Sequence, residues 1–342
     1  MTPLRFGLIG YGLWGRHHAQ AIRKAPGASL TAIACRSEAT AAAARRDFPE
    51  ASVYRHYREL LARENVDAVD IVVPNHLHAE IGVAALEHGK DVLLEKPMAV
   101  TPGECDRLIG VARRSGRVLS IGHELRLSPQ WGRIKALLDT GEIGEPLYVS
   151  VSLFRFPYRQ GAEGWRYVRE QVGSWILEEP VHAFDVVMWY FDAVGDPTAL
   201  VAAGNNKQRP DGMYDNFSAL LRFPGGRYAA ITETLAGFEY HQVAEVVGTE
   251  GAIRGWWSGP MDRTLQASFE LKVLRRGSTH SETLAIDRAG EVFDLQEEIA
   301  QLVVAFRERR PLVSAEEARK RIIVCAAAER SLREGCEVPL TF

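Results

Sequence analysis

The sequence predicts an α/β protein: an N-terminal doubly wound parallel sheet, then an α+β domain with a large, mostly antiparallel open sheet. Short apolar segments alternate with helical segments over residues 4–121, as in parallel sheets covered by helices on both faces. A glycine-rich turn follows the first apolar segment. After about residue 123 the strand-like segments become longer and are joined by turns such as Pro224-Gly225-Gly226, which is typical of antiparallel sheets.

Composition places the chain among ordinary globular proteins. Of its 342 residues, 46% are hydrophobic and 25% charged, and 41 basic against 44 acidic residues give a formal net charge of −3. This balance offers no basic excess for a nucleic acid partner. No apolar run approaches the ~18 residues that would cross a membrane. At ~100–200 residues per domain, the length predicts two domains.

The cysteines and the first residues predict a cytoplasmic protein. Cys35, Cys105, Cys325 and Cys336 are scattered without the spacing of metal ligands, so neither a structural metal nor a disulfide framework is expected. Residues 1–10 lead directly into a strand-like run, which leaves no room for a signal peptide.

Each element of the alternation can be placed from its apolar pattern, because strands buried on both faces have no polar side. The predicted N-terminal strands are Leu4–Ile9, Leu30–Cys35, Ala68–Val73, Asp91–Leu94 and Arg117–Ile121. The predicted helices follow the glycine turn to about Lys24 and then span Ser37–Asp47, Tyr57–Glu64, His76–His88 and Pro102–Ser115. The longer C-terminal strands are predicted at Leu147–Phe156, Phe217–Phe223, Arg227–Leu235 and Val243–Val247.

The glycine-rich turn is a candidate dinucleotide site. The run Gly10-Tyr11-Gly12-Leu13-Trp14-Gly15 joins the first strand to the first helix, where a Rossmann domain holds a pyrophosphate. Gly10 permits the tight turn, Gly12 lets the phosphates approach, and Gly15 lets the helix pack closely on the strand. The helix N-terminus then offers unpaired N–H groups and the positive end of its dipole. A glycine turn without a ligand is the alternative.

The end of the second strand indicates which dinucleotide is bound. An Asp or Glu there accepts hydrogen bonds from the ribose 2′-hydroxyl of NAD, but this chain has Cys35-Arg36-Ser37 and no carboxylate before Glu38. Arg36 and Ser37 instead suit a 2′-phosphate. The sequence therefore favours NADP, with NAD as the alternative, and an exposed arginine that only closes a loop remains the simplest other interpretation of Arg36.

Three further stretches, with the glycine turn, carry a resemblance to a known family. They are Val72-Val73-Pro74-Asn75-His76-Leu77-His78, Glu95-Lys96-Pro97, and the run from Gly173 to Asp185 that contains Glu178-Glu179-Pro180-Val181-His182. Together they resemble the glucose–fructose oxidoreductase, inositol dehydrogenase and MocA-like oxidoreductases. The resemblance covers nearly the whole chain, since Glu245–Gly251 and the closing stretch from Glu297 also match.

The resemblance implies the catalytic groups. Lys96 matches the family lysine, whose ammonium stabilises alkoxide character on the reacting oxygen, and His182 matches the histidine that transfers the proton. The family usually has an aspartate where this chain has Glu178 and a glycine where it has Pro180. Pro180 is best placed in the first turn of a helix, which would leave Glu178 just outside it. Glu178 is the third catalytic candidate, because its longer side chain could still reach the histidine or the substrate from there. A cis peptide bond is expected before Pro97.

The resemblance also implies binding residues. Further cofactor contacts are expected from Pro74, Asn75, His76, His78, Glu95 and Lys96. Substrate contacts are expected from Lys96, Glu124, Arg126, Trp165, Arg166, Glu178 and His182. An aromatic ring beside an arginine suits a sugar, and Arg155, Arg159, Arg166 and Arg169 would also suit an anionic one. The alternative is that Arg126 pairs with a carboxylate and Trp165 packs in a core.

The predicted protein is an NADP-dependent oxidoreductase acting on a secondary hydroxyl or keto group of a sugar, sugar derivative or cyclitol. The alternatives are the same chemistry with NAD, or a sugar- or dinucleotide-sensing regulator without turnover. Residues 1–122 would bind the dinucleotide, and residues 123–342 would bind substrate and form a homodimer or homotetramer through the sheet. No metal is expected, because His76, His78 and His182 lack a fixed further ligand.

Overall fold

The computed structural model describes residues 2–207, 213–235 and 237–342. The described residues form two compact units. The first is drawn from Met1–His123, Gly161–Gly173 and Leu295–Ile322, and the second from Glu124–Gln160, Ser174–Asp294 and Ile323–Phe342. Compared with the predicted boundary after residue 122, the first unit therefore includes two later segments of the chain.

The strands and helices are as follows. The strands are β1 Leu4–Ile9, β2 Ala28–Ala34, β3 Ser52–Tyr54, β4 Ala68–Ile71, β5 Asp91–Glu95, β6 Leu119–Gly122, β7 Pro146–Phe154, β8 Ala199–Asn205, β9 Asn216–Arg222, β10 Tyr228–Thr234, β11 Tyr240–Gly248, β12 Gly251–Gly259, β13 Ser268–Arg275, β14 Glu282–Leu284 and β15 Val338–Pro339. The α-helices are α1 Leu13–Lys24, α2 Glu38–Asp47, α3 Tyr57–Leu61, α4 His78–Glu87, α5 Pro102–Ser115, α6 Trp131–Asp139, α7 Arg169–Val172, α8 Trp175–Glu178, α9 Pro180–Tyr190, α10 Glu291–Arg307 and α11 Ala315–Glu334.

The sheet of the first unit is parallel throughout its described strands, in the order β3-β2-β1-β4-β5-β6. This confirms the predicted doubly wound sheet. The strand order reverses direction at β1 and β4, so the carboxyl ends of these strands form the crevice where such sheets bind ligands. The predicted bounds of β1 and α5 match the structure residue for residue, whereas β3, three residues long, was not predicted.

Local side-chain contacts explain where two helices of this unit begin. Ser37 caps α2 by accepting the backbone N–H of Thr40, so this helix starts one residue later than predicted. Thr101 and Glu104 form a capping box at the start of α5. The core joins β-sheet side chains such as Phe6 and Leu8 to apolar residues of α10, including Ile299, Leu302 and Phe306.

The sheet of the second unit has the order β14-β13-β12-β11-β7-β10-β9-β8-β15. Among the pairings of its described strands, β7–β10 is parallel and the others are antiparallel, which confirms the predicted mostly antiparallel sheet. Inward side chains of β7 (Val149, Val151, Leu153) alternate with less buried ones. Helix α9 packs on β7 and β10. No helix within the described ranges combines the length and apolar character that a membrane crossing needs.

Candidate active site

The glycine turn of the first unit has the shape that a pyrophosphate requires. Gly10 has φ +104°, and a Cβ added there would lie 2.0 Å from the carbonyl oxygen of Val72. A Cβ on Gly15 would lie 2.1 Å from the carbonyl oxygen of Gly10, so both positions exclude a side chain. Gly12 differs, because a Cβ there would meet nothing within 4 Å. It caps α1 without a side-chain hydrogen bond, which leaves the first N–H groups open to an anion.

The end of β2 carries the two residues predicted to choose the cofactor. Arg36 is exposed, and its guanidinium lies 2.6 Å from the carboxylate of Glu163. Arg55, which the sequence did not single out, donates from Nε to the carbonyl oxygen of Arg36 at 3.1 Å and also pairs with Glu38. Arg55 follows β3, the strand missed from the sequence, so its place beside Arg36 had no local signal.

The stretch after β4 is held by contacts of its own side chains. Asn75 donates to the carbonyl oxygen of Val172 at 3.0 Å, and His76 Nδ1 lies 3.2 Å from that of Gln171. Pro74 precedes the short 3₁₀ turn Asn75–Leu77, and α4 begins at His78. The helix predicted from His76 therefore begins within this turn. His78 is buried with its two ring nitrogens 2.7 Å and 2.9 Å from the carbonyl oxygens of Pro97 and Val73. Among the residues described by the structure, no group of three or more His, Cys, Asp or Glu side chains is arranged to hold a metal.

The Glu95-Lys96-Pro97 stretch lies at the end of β5. The Lys96–Pro97 bond is cis, as the resemblance implied. Lys96 is half-buried, whereas the Glu95 side chain is buried and fixed at both oxygens. Its Oε1 accepts hydrogen bonds from the indole N–H of Trp14 at 2.8 Å and from His18 Nε2 at 3.0 Å, and its Oε2 accepts from the backbone N–H of Lys96.

His18 continues this contact to a second carboxylate. Its Nδ1 lies 2.7 Å from Asp70 of β4, and both side chains are inaccessible to solvent. Burial alone would lower the pKa of His18, but the charges and hydrogen bonds of Asp70 and Glu95 raise it to about 10. Burial alone would raise the pKa of Glu95, but the hydrogen bond and charge of His18, with Lys96 and Trp14, lower it to about 2.

In the second unit, His182 lies in the first turn of α9. Pro180 is the first residue of this helix and Glu179 precedes it, as the proline predicted. Glu178 ends the short helix α8, so it does not share a helix face with His182. A carboxylate oxygen of Glu124 lies 3.8 Å from His182 Nε2, and both side chains are more than nine-tenths buried.

The remaining predicted substrate residues fall in different places. Arg126 makes a two-pronged ion pair with the buried Asp185, at 2.8 Å and 2.6 Å, which agrees with the carboxylate pairing weighed as the alternative. Trp165 and Arg166 belong to the first unit, in the segment Gly161–Gly173. The Trp165 ring is buried, and the Arg166 guanidinium lies 4.6 Å from its centre.

The second unit contains a cavity, partly open to solvent, between α9 and the sheet. His182 lines it, together with the five carboxyl groups of Glu124, Glu179, Glu233, Glu291 and Asp294. No lysine or arginine side chain is part of the described lining. Burial raises the pKa of Asp294 to about 7. This concentration of hydrogen-bond acceptors suits a ligand with several hydroxyl groups.

Buried cations compensate part of this negative charge from behind the cavity wall. Arg155 pairs with Glu179 at 3.1 Å and lies 3.6 Å from Asp262, and Arg263 pairs with Glu291 at 3.2 Å. Tyr240 donates its hydroxyl to Glu179. Of the arginines predicted to suit an anionic sugar, Arg155 and Arg159 are thus engaged by the protein's own carboxylates, since Arg159 also pairs with Asp262.

Comparison with known proteins identifies the family. The model of an oxidoreductase family with an NAD-binding Rossmann fold matches residues 4–123, and the Gfo/Idh/MocA C-terminal domain model matches residues 131–254. The chain belongs to the Gfo/Idh/MocA family of oxidoreductases. The resemblance inferred from the sequence motifs is therefore confirmed, as is the enzyme class.

Several proteins that are similar to this chain have names that state an activity. The chain is 30% identical to the NADP(+)-linked D-xylose 1-dehydrogenase of Haloarcula marismortui, over 79% of this chain and 77% of that protein. It is 32% identical to the 1,5-anhydro-D-fructose reductase of Ensifer adhaerens, over 73% and 75%. A solved levoglucosan dehydrogenase, in complex with NADH and levoglucosan, has the same fold, with a TM-score of 0.85, 22% identity and full coverage of both chains.

Proposed function

We propose that the protein is an NADP-dependent oxidoreductase that transfers a hydride between nicotinamide and a secondary hydroxyl or keto group of a sugar, sugar derivative or cyclitol. The observation that carries the proposal is Lys96, a half-buried amine that directly follows a buried parallel strand. It lies between the anchored Glu95 and the cis Pro97, in a domain whose glycine turn fits a pyrophosphate. Relatives named as sugar dehydrogenases and reductases support the substrate class.

The family resemblance assigns one role at the reacting oxygen to Lys96 of the first unit and another to His182 of the second. The nicotinamide ring, when bound, accepts or supplies the hydride. Lys96 donates a hydrogen bond from its ammonium and stabilises negative charge as the hydroxyl loses its proton. His182 takes that proton in oxidation and returns it in reduction. A carboxylate oxygen of Glu124 lies 3.8 Å from the His182 imidazole.

The preference for NADP rests on two cations at the end of β2. Arg36 is exposed, and Arg55 is held against its carbonyl oxygen, so both guanidinium groups can meet a 2′-phosphate. Ser37 supplies a hydroxyl at the same turn. The NADP(+)-linked relative supports this choice, whereas the neighbour solved with NADH keeps NAD as the second candidate.

The substrate is proposed to be an uncharged polyhydroxylated molecule. Hydroxyl groups can donate to the carboxylates that line the cavity of the second unit, whereas the carboxylate of a sugar acid would meet like charges there. Lys96, Glu124, Glu178 and His182 are the proposed polar contacts to substrate. Trp165 and Arg166 are retained as proposed contacts. Arg126, whose guanidinium pairs with Asp185, is proposed to stabilise the local structure of the site.

The assembly and location of the enzyme are also proposals. On the sheet face opposite α9, the rings of Tyr148 and Tyr228 are tilted against each other with centres 4.8 Å apart, and Val247 is exposed. We propose that this face forms a homodimer or homotetramer contact. The free thiols of the four cysteines favour the reducing cytoplasm.

The first experiment is a fluorescence titration of the purified protein with NADPH and NADH. We expect NADPH to bind at least about tenfold more tightly, since one charge-assisted contact contributes ~1.5–3 kcal/mol. Tighter NADH binding would overturn the NADP assignment and leave the reaction standing. Binding of neither dinucleotide would overturn the oxidoreductase and favour a regulator without turnover.

The second experiment measures turnover with matched pairs of neutral sugars and the corresponding sugar acids. We expect kcat/KM to be at least about tenfold higher for the neutral member of each pair. Turnover of the acids alone would contradict the assignment of the carboxyl-lined cavity as the substrate site.

A further inference from the structure

A buried chain of polar groups connects three elements of the first unit to Lys96. It runs from Asp70 of β4 through His18 of α1 to Glu95 of β5, with contacts of 2.7 Å and 3.0 Å. Glu95 then accepts the backbone N–H of Lys96 at 3.0 Å. The cofactor turn joins the chain at Trp14, whose indole donates to the same Glu95 oxygen and whose ring packs edge-on against His18 at 5.2 Å.

Packing alone does not explain why three ionisable side chains are buried here. His18 and Asp70 are 0% exposed and Glu95 is 5% exposed, and taking such groups out of water is costly unless each is paired. An apolar side chain on the inner face of α1 would pack between β4 and β5 without this cost. The charged groups that face the His18 ring are Asp70 and Glu95, one on each side.

We propose that His18 is the positioning residue of Lys96: it fixes the carboxylate of Glu95, which in turn holds the backbone of the reacting lysine. This inference rests on the proposed role of Lys96. With His18 between them, the two carboxylates are separated by a cation, and Glu95 is held by Nε2 and by the Trp14 indole. Without it, the negative field of Glu95 acts on the Lys96 ammonium and its carboxylate is free to rotate.

The test replaces His18 by glutamine, which keeps a hydrogen-bonding amide and removes the positive charge. Competitive acetylation of Lys96, quantified by mass spectrometry between pH 6 and 11, reports the reactivity of its amine without any substrate. We expect the midpoint pH of acetylation to rise by about one pH unit, because a neighbouring cation has been lost. His88→Gln, at the solvent-exposed end of α4, is the control and should leave the midpoint unchanged.

Kinetics of the same variants separate positioning from a general loss of structure. We expect His18→Gln to lower kcat about 10- to 100-fold, since a small displacement of a reacting group has effects of this size. The KM for NADPH should stay within about twofold of the parent. An unchanged acetylation midpoint in a folded His18→Gln protein would overturn the proposal, even if kcat falls. If the midpoint rises in His18→Gln but the parent protein turns over no sugar, the proposed reaction is refuted instead.

A second variant keeps the inference testable if His18→Gln does not fold. Trp14→Phe retains an aromatic ring and removes the indole N–H that donates to Glu95. The midpoint of Lys96 acetylation should move in the same direction by a smaller amount, because Glu95 loses one donor. No movement in this variant would contradict the transmission of charge through Glu95.

Discussion

Charged groups are buried in both units, but in different ways. In the first unit, the ring of His18 fills the space between Asp70 and Glu95, and Glu95 accepts hydrogen bonds at both oxygens. In the second unit, five carboxyl groups surround an open cavity. A closed network fixes one geometry, whereas a lined cavity can accept different hydroxyl patterns. The first therefore suits chemistry shared by all substrates, and the second suits selection among them.

The largest effect is expected from replacing Lys96, which tests the role of the first unit in the chemistry shared by all substrates. Lys96→Ala should lower kcat about 100- to 10,000-fold for every substrate, because the reacting oxygen loses its cation. NADPH affinity, measured by fluorescence, should change less than about threefold. Lys24→Ala, at the exposed end of α1, is the matched control. Turnover near the parental level would show that Lys96 is not catalytic.

Arg36→Asp tests whether the cofactor end of the first unit is specific for a 2′-phosphate. It should weaken NADPH binding about 10- to 100-fold, because an attraction is replaced by a repulsion. NADH binding should stay the same or improve, since Asp can accept from the ribose hydroxyls. Arg114→Asp, on the exposed end of α5, is the control. Equal losses for the two dinucleotides would refute the phosphate contact.

Glu124→Gln tests whether the carboxyl groups of the cavity have different roles. The variant keeps the size of the side chain and removes a carboxylate 3.8 Å from the imidazole that is proposed to carry the proton, so kcat should fall while the fold is preserved. We expect kcat at neutral pH to fall less than about tenfold. Glu233→Gln removes another carboxylate of the same cavity, one that accepts from Tyr158. An identical fall in kcat in both variants would show that Glu124 has no particular relation to His182.

Asp294 provides a test through stability instead of activity. Its folded pKa of about 7 lies above the ~3.9 of an unfolded aspartate. The unfolded state therefore releases its proton first, and stability falls as the pH rises from about 4 to 7, by up to ~1.4 kcal/mol per pH unit. Asp294→Asn should thus gain more stability over the parent at pH 8 than at pH 5 in urea unfolding. The exposed Asp287→Asn should show no such difference.

Sequence patterns predicted those parts of the molecule that depend on neighbouring residues. The apolar run of β1 and the Thr101 capping box of α5 are local, and both elements were placed correctly. The motif around Lys96 also carried its cis bond. His18 gave only the signal of a histidine in an apolar helical stripe, because Asp70 and Glu95 lie 52 and 77 residues away.

The cavity was harder to predict for a related reason. Its carboxyl groups come from the residue before α9, from β10, from α10 and from the turn before α6, and each is unremarkable in its own segment. From the sequence alone, the arginines around Arg155 indicated an anionic ligand, because the carboxylates that pair with them in the fold could not be identified. Glu179 and Asp262, which engage Arg155, lie well beyond it in sequence.

The contribution of α10 to the first core has a consequence for how the chain is made. A ribosome that has released residues 1–123 has produced the parallel sheet, but not Ile299, Leu302 and Phe306, which pack in its core. The first unit can therefore complete its core only after residue 306 has also been synthesised. Until then its apolar faces depend on chaperones or on the compactness of the nascent chain for protection. A fragment that ends at residue 122 should accordingly be prone to aggregation, although it carries the whole dinucleotide motif.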